Sequence, residues 1–162
     1  MLAAQSHFQA HTDDVILASS MKTGATWLKP LIPCIMHSNP DDSCDPLIKN
    51  HPNALMPSWR SSSTEGIHHL ISQNLLPFDF FELICLYSEL PESIEKTDYK
   101  IVYITPNTKD TFVSMRHFIN SVWAPKRGSF SLEEAFDSFC NGVHAFGPFF
   151  EHVLEYWNAS LN

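Results

Sequence analysis

Two short, continuously apolar runs stand out along the chain. They are Asp14-Val-Ile-Leu-Ala-Ser19 and Lys100-Ile-Val-Tyr-Ile-Thr105. Neither alternates apolar with polar positions, and both are rich in Val and Ile. Runs of that length and kind predict strands buried on both faces, as in a parallel sheet. A helical pattern follows each, one from about Thr26 and one from about Lys109 to Val122. Ser131-Leu-Glu-Glu134 is a capping box that opens a third helix, to about Gly142. Gly147-Pro148 opens a fourth, with Pro in the first turn, where its missing N–H costs nothing. Phe149, His152, Val153 and Tyr156 recur there at helical spacing and are expected in the core. Pro30 and Pro33 fall inside the first helix. An interior Pro removes one backbone bond and clashes with the preceding turn, at about 3 kcal/mol each, so a broken helix is expected.

The stretch from Asp41 to Asn74 is different. Pro46, Pro52, Pro57 and Ser61-Ser-Ser-Thr64 predict mostly loop or weak helix. Alternating strands and helices predict an α/β layered fold with a mainly parallel central sheet. Two strands do not make a stable sheet by themselves.

Composition narrows the function. The chain has 162 residues, 44% hydrophobic and 17% charged, which is one domain or part of one. A net charge of -8 and the lack of any basic stripe argue against a nucleic-acid surface. No apolar run reaches membrane-spanning length, and residues 1–10 show no signal-peptide pattern. A cytoplasmic protein without a membrane partner is expected. Cys34, Cys44, Cys85 and Cys140 form no close pair and read as free thiols. Among nine histidines only His68 and His69 adjoin, and neighbours on a regular element do not face one site, so no metal is expected. Asn158-Ala-Ser160 matches a glycosylation sequon that stays silent without a secretory signal.

The chemistry concentrates in Ser19-Ser-Met-Lys-Thr-Gly-Ala-Thr-Trp27. A buried strand, a tight loop holding a Lys and a Gly, and a helix start make an anion site. Free N–H groups at a helix N-terminus point at a phosphate, and the helix dipole favours its charge. Lys22 adds a mobile cation, and Gly24 lets the backbone come close. The loop is not the full P-loop pattern, because it has a single Gly. On spacing alone, an ordinary strand–loop–helix turn remains an equal reading.

Met21-Lys-Thr-Gly-Ala-Thr-Trp27 resembles the donor loop of the cytosolic sulfotransferases, close to Pro-Lys-Ser/Ala-Gly-Thr-Thr-Trp. The resemblance takes in Gln5 to Ala10, Leu90-Pro-Glu-Ser-Ile94, Tyr99 to Tyr103 and Lys109 to Ser114. It continues through Ser131 to Phe136 and Gly147 to Trp157. The wording is most similar to the plant branch. Residues 41–86 align poorly. The resemblance implies a P-loop-like sulfotransferase domain over residues 1–162, incomplete at the C-terminus. It implies sulfonate transfer from 3′-phosphoadenosine 5′-phosphosulfate (PAPS) to a hydroxyl of a small molecule. Lys22, Thr23, Gly24, Ala25, Thr26 and Trp27 would hold the 5′-phosphosulfate, with Trp27 near the adenine unless it is a core aromatic. Ser114 would hold the 3′-phosphate, in a second donor motif spanning residues 106–114.

Departures from the family pattern bear on activity. The Arg of the second motif is Pro106, and the family's usual Trp is Arg116. The catalytic His position, counted back from Leu90, is Ile84, which cannot accept a proton. His68 and His69 are poor replacements, and Glu82 and Glu89 read as solvated. The C-terminal Gly-rich segment and the dimer motif of the family are absent. Three readings stay open: a sulfotransferase with impaired or no activity, a non-catalytic nucleotide-binding module, and a degenerate product without a stable fold.

Overall fold

The computed structural model describes residues 15–36, 51, 56, 58–60, 80–90, 94, 99–143 and 147–161. His68, His69, Cys44, the Gln5–Ala10 stretch and most of residues 41–74 lie outside them. Strand β1 is Val15–Ser19, and helix α1 is Ala25–Met36. Strands β2, Ser58–Arg60, and β3, Phe80–Ile84, follow, then a 3-10 turn at Tyr87–Glu89. Strand β4 is Lys100–Ile104. Helices α2, Thr108–Arg127, α3, Leu132–Cys140, and α4, Phe149–Ala159, complete the described residues.

The strands form one sheet in the order β2-β3-β1-β4. Every pairing is parallel: β1 with β3, β1 with β4, and β2 with β3. The expected strands at the start of the chain and near residue 100 are β1 and β4, and the α/β architecture with a parallel sheet holds. The sequence reading missed two strands. β2 is three residues long, inside the stretch read as loop. β3 carries Glu82 at its centre, and a charge there interrupts the apolar run by which a buried strand is recognised.

Strand alternation splits the core between the sheet's faces. Val15 and Leu17 of β1 pack with Ala25 and Ile32 of α1 and with Met56 on one face. Ile16 and Ala18 pack with Leu83, Cys85, Leu90, Ile94 and Tyr156 of α4 on the other. A third cluster, Phe112, Met115, Ala135, Phe139 and Phe149, joins α2, α3 and α4. Phe149, His152 and Tyr156 are buried and Val153 packs against the third cluster, as their spacing predicts. The capping box of α3 forms as read: the Glu134 amide donates to Ser131 Oγ at 3.1 Å, and the Ser131 amide to a Glu134 carboxylate oxygen at 3.2 Å. The Ser131 hydroxyl holds the Glu134 carboxyl below its usual range.

Two expectations fail here. The helix after β1 is not broken, since α1 runs unbroken through positions 30 and 33. Its tertiary contacts offset the two missing backbone bonds, because Ile32 is buried on the sheet and Lys29 is anchored. Glu82 is not solvated. It is buried, and a carboxylate oxygen lies 2.7 Å from Lys29 Nζ. A charge on a central strand survives burial because an opposite charge meets it there.

Candidate functional site

All four strands point the same way, so their C-terminal ends share one edge of the sheet. Ligands of open α/β sheets bind beyond that edge. Register places the ends side by side: Ser19 of β1 is opposite Ile104 of β4, and Ala18 is opposite Leu83 of β3. The next step along β3 is Ile84, so the position that lacks a base adjoins the start of the loop.

The loop from Ser20 to Gly24 leaves β1 at this edge. Thr23 Oγ1 donates to the Ser20 carbonyl at 2.7 Å, closing the turn. The Trp27 amide donates to the Gly24 carbonyl at 2.9 Å, closing the first turn of α1. Gly24 has φ +94, which side-chain-bearing residues rarely adopt. Its missing Cβ would face Ile104 Cδ1 at 3.9 Å, so the demand for Gly is conformational rather than spatial. Lys22 has φ +63, the left-handed conformation, and is the only non-glycine with positive φ among the described residues. Its ammonium lies 4.9 Å from the centroid of the Phe118 ring on α2. Beneath the loop, the Ser19 and Ser20 hydroxyls are buried with no hydrogen-bond partner among the described residues. Met21 packs against the third core cluster and so ties the loop to α2 and α3.

The second motif enters the same edge from β4. Asn107 caps α2, its side-chain oxygen accepting from the Lys109 amide at 2.8 Å. Thr111 is buried, and its hydroxyl donates to the Asn107 carbonyl at 3.2 Å. Ser114 lies one helical turn before Phe118, on the α2 face that meets Lys22. Pro106 stands between β4 and this cap and contributes no cation. Arg116 is half-buried, and its Nε has no partner among the described residues. Trp27 is 80% exposed, which excludes a core role and leaves its ring open to solvent beside the loop.

The sheet face under α4 is aromatic. Tyr103, His152 and Tyr156 stack, with Tyr103 and Tyr156 centroids 4.5 Å apart and Tyr103 Oη 3.1 Å from His152 Nδ1. Tyr156 Oη donates to the Cys85 carbonyl at 3.3 Å. Glu155 accepts from the Ser88 amide at 2.9 Å and its hydroxyl at 3.2 Å, fastening α4 to the turn after β3. Burial pushes the Cys85 thiol up to about 12, with the Glu89 charge adding to it. Burial also pushes the Tyr103 phenol to about 12 and the Tyr156 phenol above its usual range. These groups stay neutral at physiological pH. At Ile84 itself the side chain is buried hydrocarbon. Sequence reasoning named the loop and the 106–114 motif, and the parallel strands bring both to one edge. It missed Phe118, Tyr103 and the Lys29–Glu82 pair, because partners supplied by other elements leave no local signal.

Comparisons with known proteins agree with this fold. The family model described as a sulfotransferase domain matches residues 12–162. Cytosolic sulfotransferase 13 of Arabidopsis thaliana is 37% identical over 99% of this chain and 48% of its own length. Flavonol 3-sulfotransferase of Flaveria bidentis is 38% identical over 99% of this chain and 51% of its own. The chain thus spans about half the length of the curated relatives it matches. A solved Arabidopsis thaliana sulphotransferase superposes with a TM-score of 0.78 at 31% identity, over 99% of this chain and 55% of that one. Mouse sulfotransferase SULT7A1 complexed with PAP shares the fold, with a TM-score of 0.71 at 23% identity over 97% of this chain and 51% of that one. A family match over nearly the whole chain, with relatives of this identity, shows that the chain belongs to the sulfotransferase domain family.

Proposed function

We propose that this chain is the donor-nucleotide half of a cytoplasmic sulfotransferase fold, and that it binds PAPS, or the bisphosphate product PAP, at the C-terminal edge of its sheet. Lys22, Thr23, Gly24, Ala25, Thr26 and Trp27 form the 5′-phosphosulfate cradle within residues 20–27. Ser114, in the 106–114 motif, serves the 3′-phosphate. The observation that carries this reading is the convergence of two separate motifs: the Lys22 ammonium meets the α2 face that bears Ser114. Lys29 is not a second free cation for the donor, since Glu82 neutralises it.

Sulfonate transfer breaks the S–O bond to the donor phosphate and forms one to the acceptor oxygen, whose proton must leave. The cradle serves the first requirement, because Lys22 and the helix N-terminus stabilise charge on the leaving phosphate. The second has no group at position 84, since Ile84 cannot take the proton. Pro106 withholds a charge-assisted contact to the 3′-phosphate. The chain is therefore read as binding donor and transferring sulfonate to a small hydroxylated acceptor slowly or not at all. The flavonol named for the Flaveria bidentis relative belongs to that acceptor class.

Calorimetric titration with adenosine 3′,5′-bisphosphate tests the reading. Saturable binding that Lys22→Ala removes is expected. Equal affinity in both chains would rule out the loop as the site. Rapid transfer of labelled sulfonate from PAPS to a simple phenol by the unmodified chain would overturn the reading of position 84.

A further inference from the structure

Lys22 is held by two constraints at once. Its backbone takes the left-handed conformation that a lysine adopts only at a cost. Its ammonium then sits over a ring from another element, 4.9 Å from the Phe118 centroid. That distance is within the range of a cation–π contact. Phe118 is 38% exposed, so the ring opens toward solvent on the face that bears Ser114.

An unrestrained lysine spreads over many rotamers, and a phosphate that captures it must freeze them out. A ring that already holds the ammonium removes part of this cost before the ligand arrives. The ammonium has three donors, so one can face the ring while others meet anion oxygens.

We propose that Phe118 is a positioning residue for the donor site: its ring holds the Lys22 ammonium in place for an incoming phosphate and remains under it in the complex. This rests on the donor-binding reading above. Phe118 makes no contact with the ligand in this account and acts through Lys22 alone. The strained loop and the ring cooperate, since the backbone aims the side chain and the ring catches it.

The test uses the full chain, adenosine 3′,5′-bisphosphate as probe, and the variants Phe118→Leu, Phe118→Trp and Lys22→Ala. In the ligand-free chain the Lys22 ε-methylene protons are expected upfield of a free lysine by ring current, and they stay upfield at saturation. Phe118→Leu abolishes that shift and weakens binding roughly two- to fivefold, with an unchanged circular dichroism spectrum. Phe118→Trp, which offers the better π face, restores both. A parent chain without the upfield shift overturns the proposal with no variant needed. Unchanged affinity in Phe118→Leu, alongside weakened binding in Lys22→Ala, overturns the positioning role and leaves the donor site standing. A parent chain that does not bind the bisphosphate overturns the donor reading, and this inference with it.

Discussion

Cys85 shows how far burial can move a side chain's chemistry. It follows the end of β3, fully enclosed in the cluster with Ile16, Leu83 and Tyr156. The thiol is pushed up to about 12 from an ordinary value of 9.0, chiefly by desolvation. Tyr103 moves the same way, from 10.0 to about 12. Between pH 9 and 12 the unfolded chain gives up protons that the folded chain keeps. Stability is thus whole below pH 9 and falls as pH rises toward 12. Denaturation midpoints measured from pH 7 to 11 should show that fall, shallower in Cys85→Ala. At neutral pH iodoacetamide should modify exposed Cys140 and leave Cys85 untouched. The residues legible in advance were those whose chemistry is local. Lys22 and Gly24 announce themselves, because a loop needs a cation and a positive φ whatever surrounds it. Glu82 and Phe118 do not. Their roles depend on Lys29 and Lys22, which reach them from other elements, and isolated sequence gives a Glu on a strand or a Phe on a helix no such meaning.

Helix α1 carries two prolines and still covers the sheet. Two missing N–H groups would dismantle an isolated helix of this length, where propagation is marginal. Packing decides otherwise: Ile32 is buried beside Val15 and Leu17, and Lys29 reaches Glu82 at 2.7 Å with both side chains 6% exposed. The pair is costly to assemble and more costly to break. Removing one partner leaves the other buried and charged, a loss of about 3–5 kcal/mol, whereas an apolar pair of similar volume is often neutral. Glu82→Ala should therefore lower stability by about 3–5 kcal/mol in urea titrations, and Lys29→Met with Glu82→Leu should recover most of it. A single Glu82→Ala within about 1 kcal/mol of the parent would show that the pair does not anchor the helix. The same pair explains why β3 was hidden. A strand buried on both faces is recognised by continuous apolar residues, and a central Glu breaks that signature unless its partner on α1 is known. Helices were easier, because a cap such as Ser131 acts within four residues.

At the scale of the molecule, the exposed apolar surface is the feature that governs behaviour. β4 closes one side of the sheet order, and among the described residues nothing pairs with its outer edge. Val102, at its centre, is 37% exposed. An open edge rich in β-branched residues is a template for another chain. Further apolar side chains stand in solvent on the helices: Trp27, Trp123, Phe136, Leu154 and Trp157. The three core clusters give the chain a folded interior, so the expectation of a broken α1 no longer argues against stability. What the surface predicts is association. The net charge of -8 opposes it by mutual repulsion, and salt screens that repulsion within about 10 Å at 0.1 M. Size-exclusion chromatography should then show larger species as protein concentration rises, and more of them at high salt than at low. Val102→Lys places a charge at the middle of the open edge, where a pairing strand would have to bury it. It should reduce association without lowering the thermal midpoint, because the side chain is already partly in water. If Val102→Lys associates as readily as the parent while Leu154→Lys does not, the contact lies on α4 rather than on the sheet edge. Both variants leave Lys22 and Phe118 untouched, so their nucleotide affinity should match that of the parent and separate self-association from donor binding.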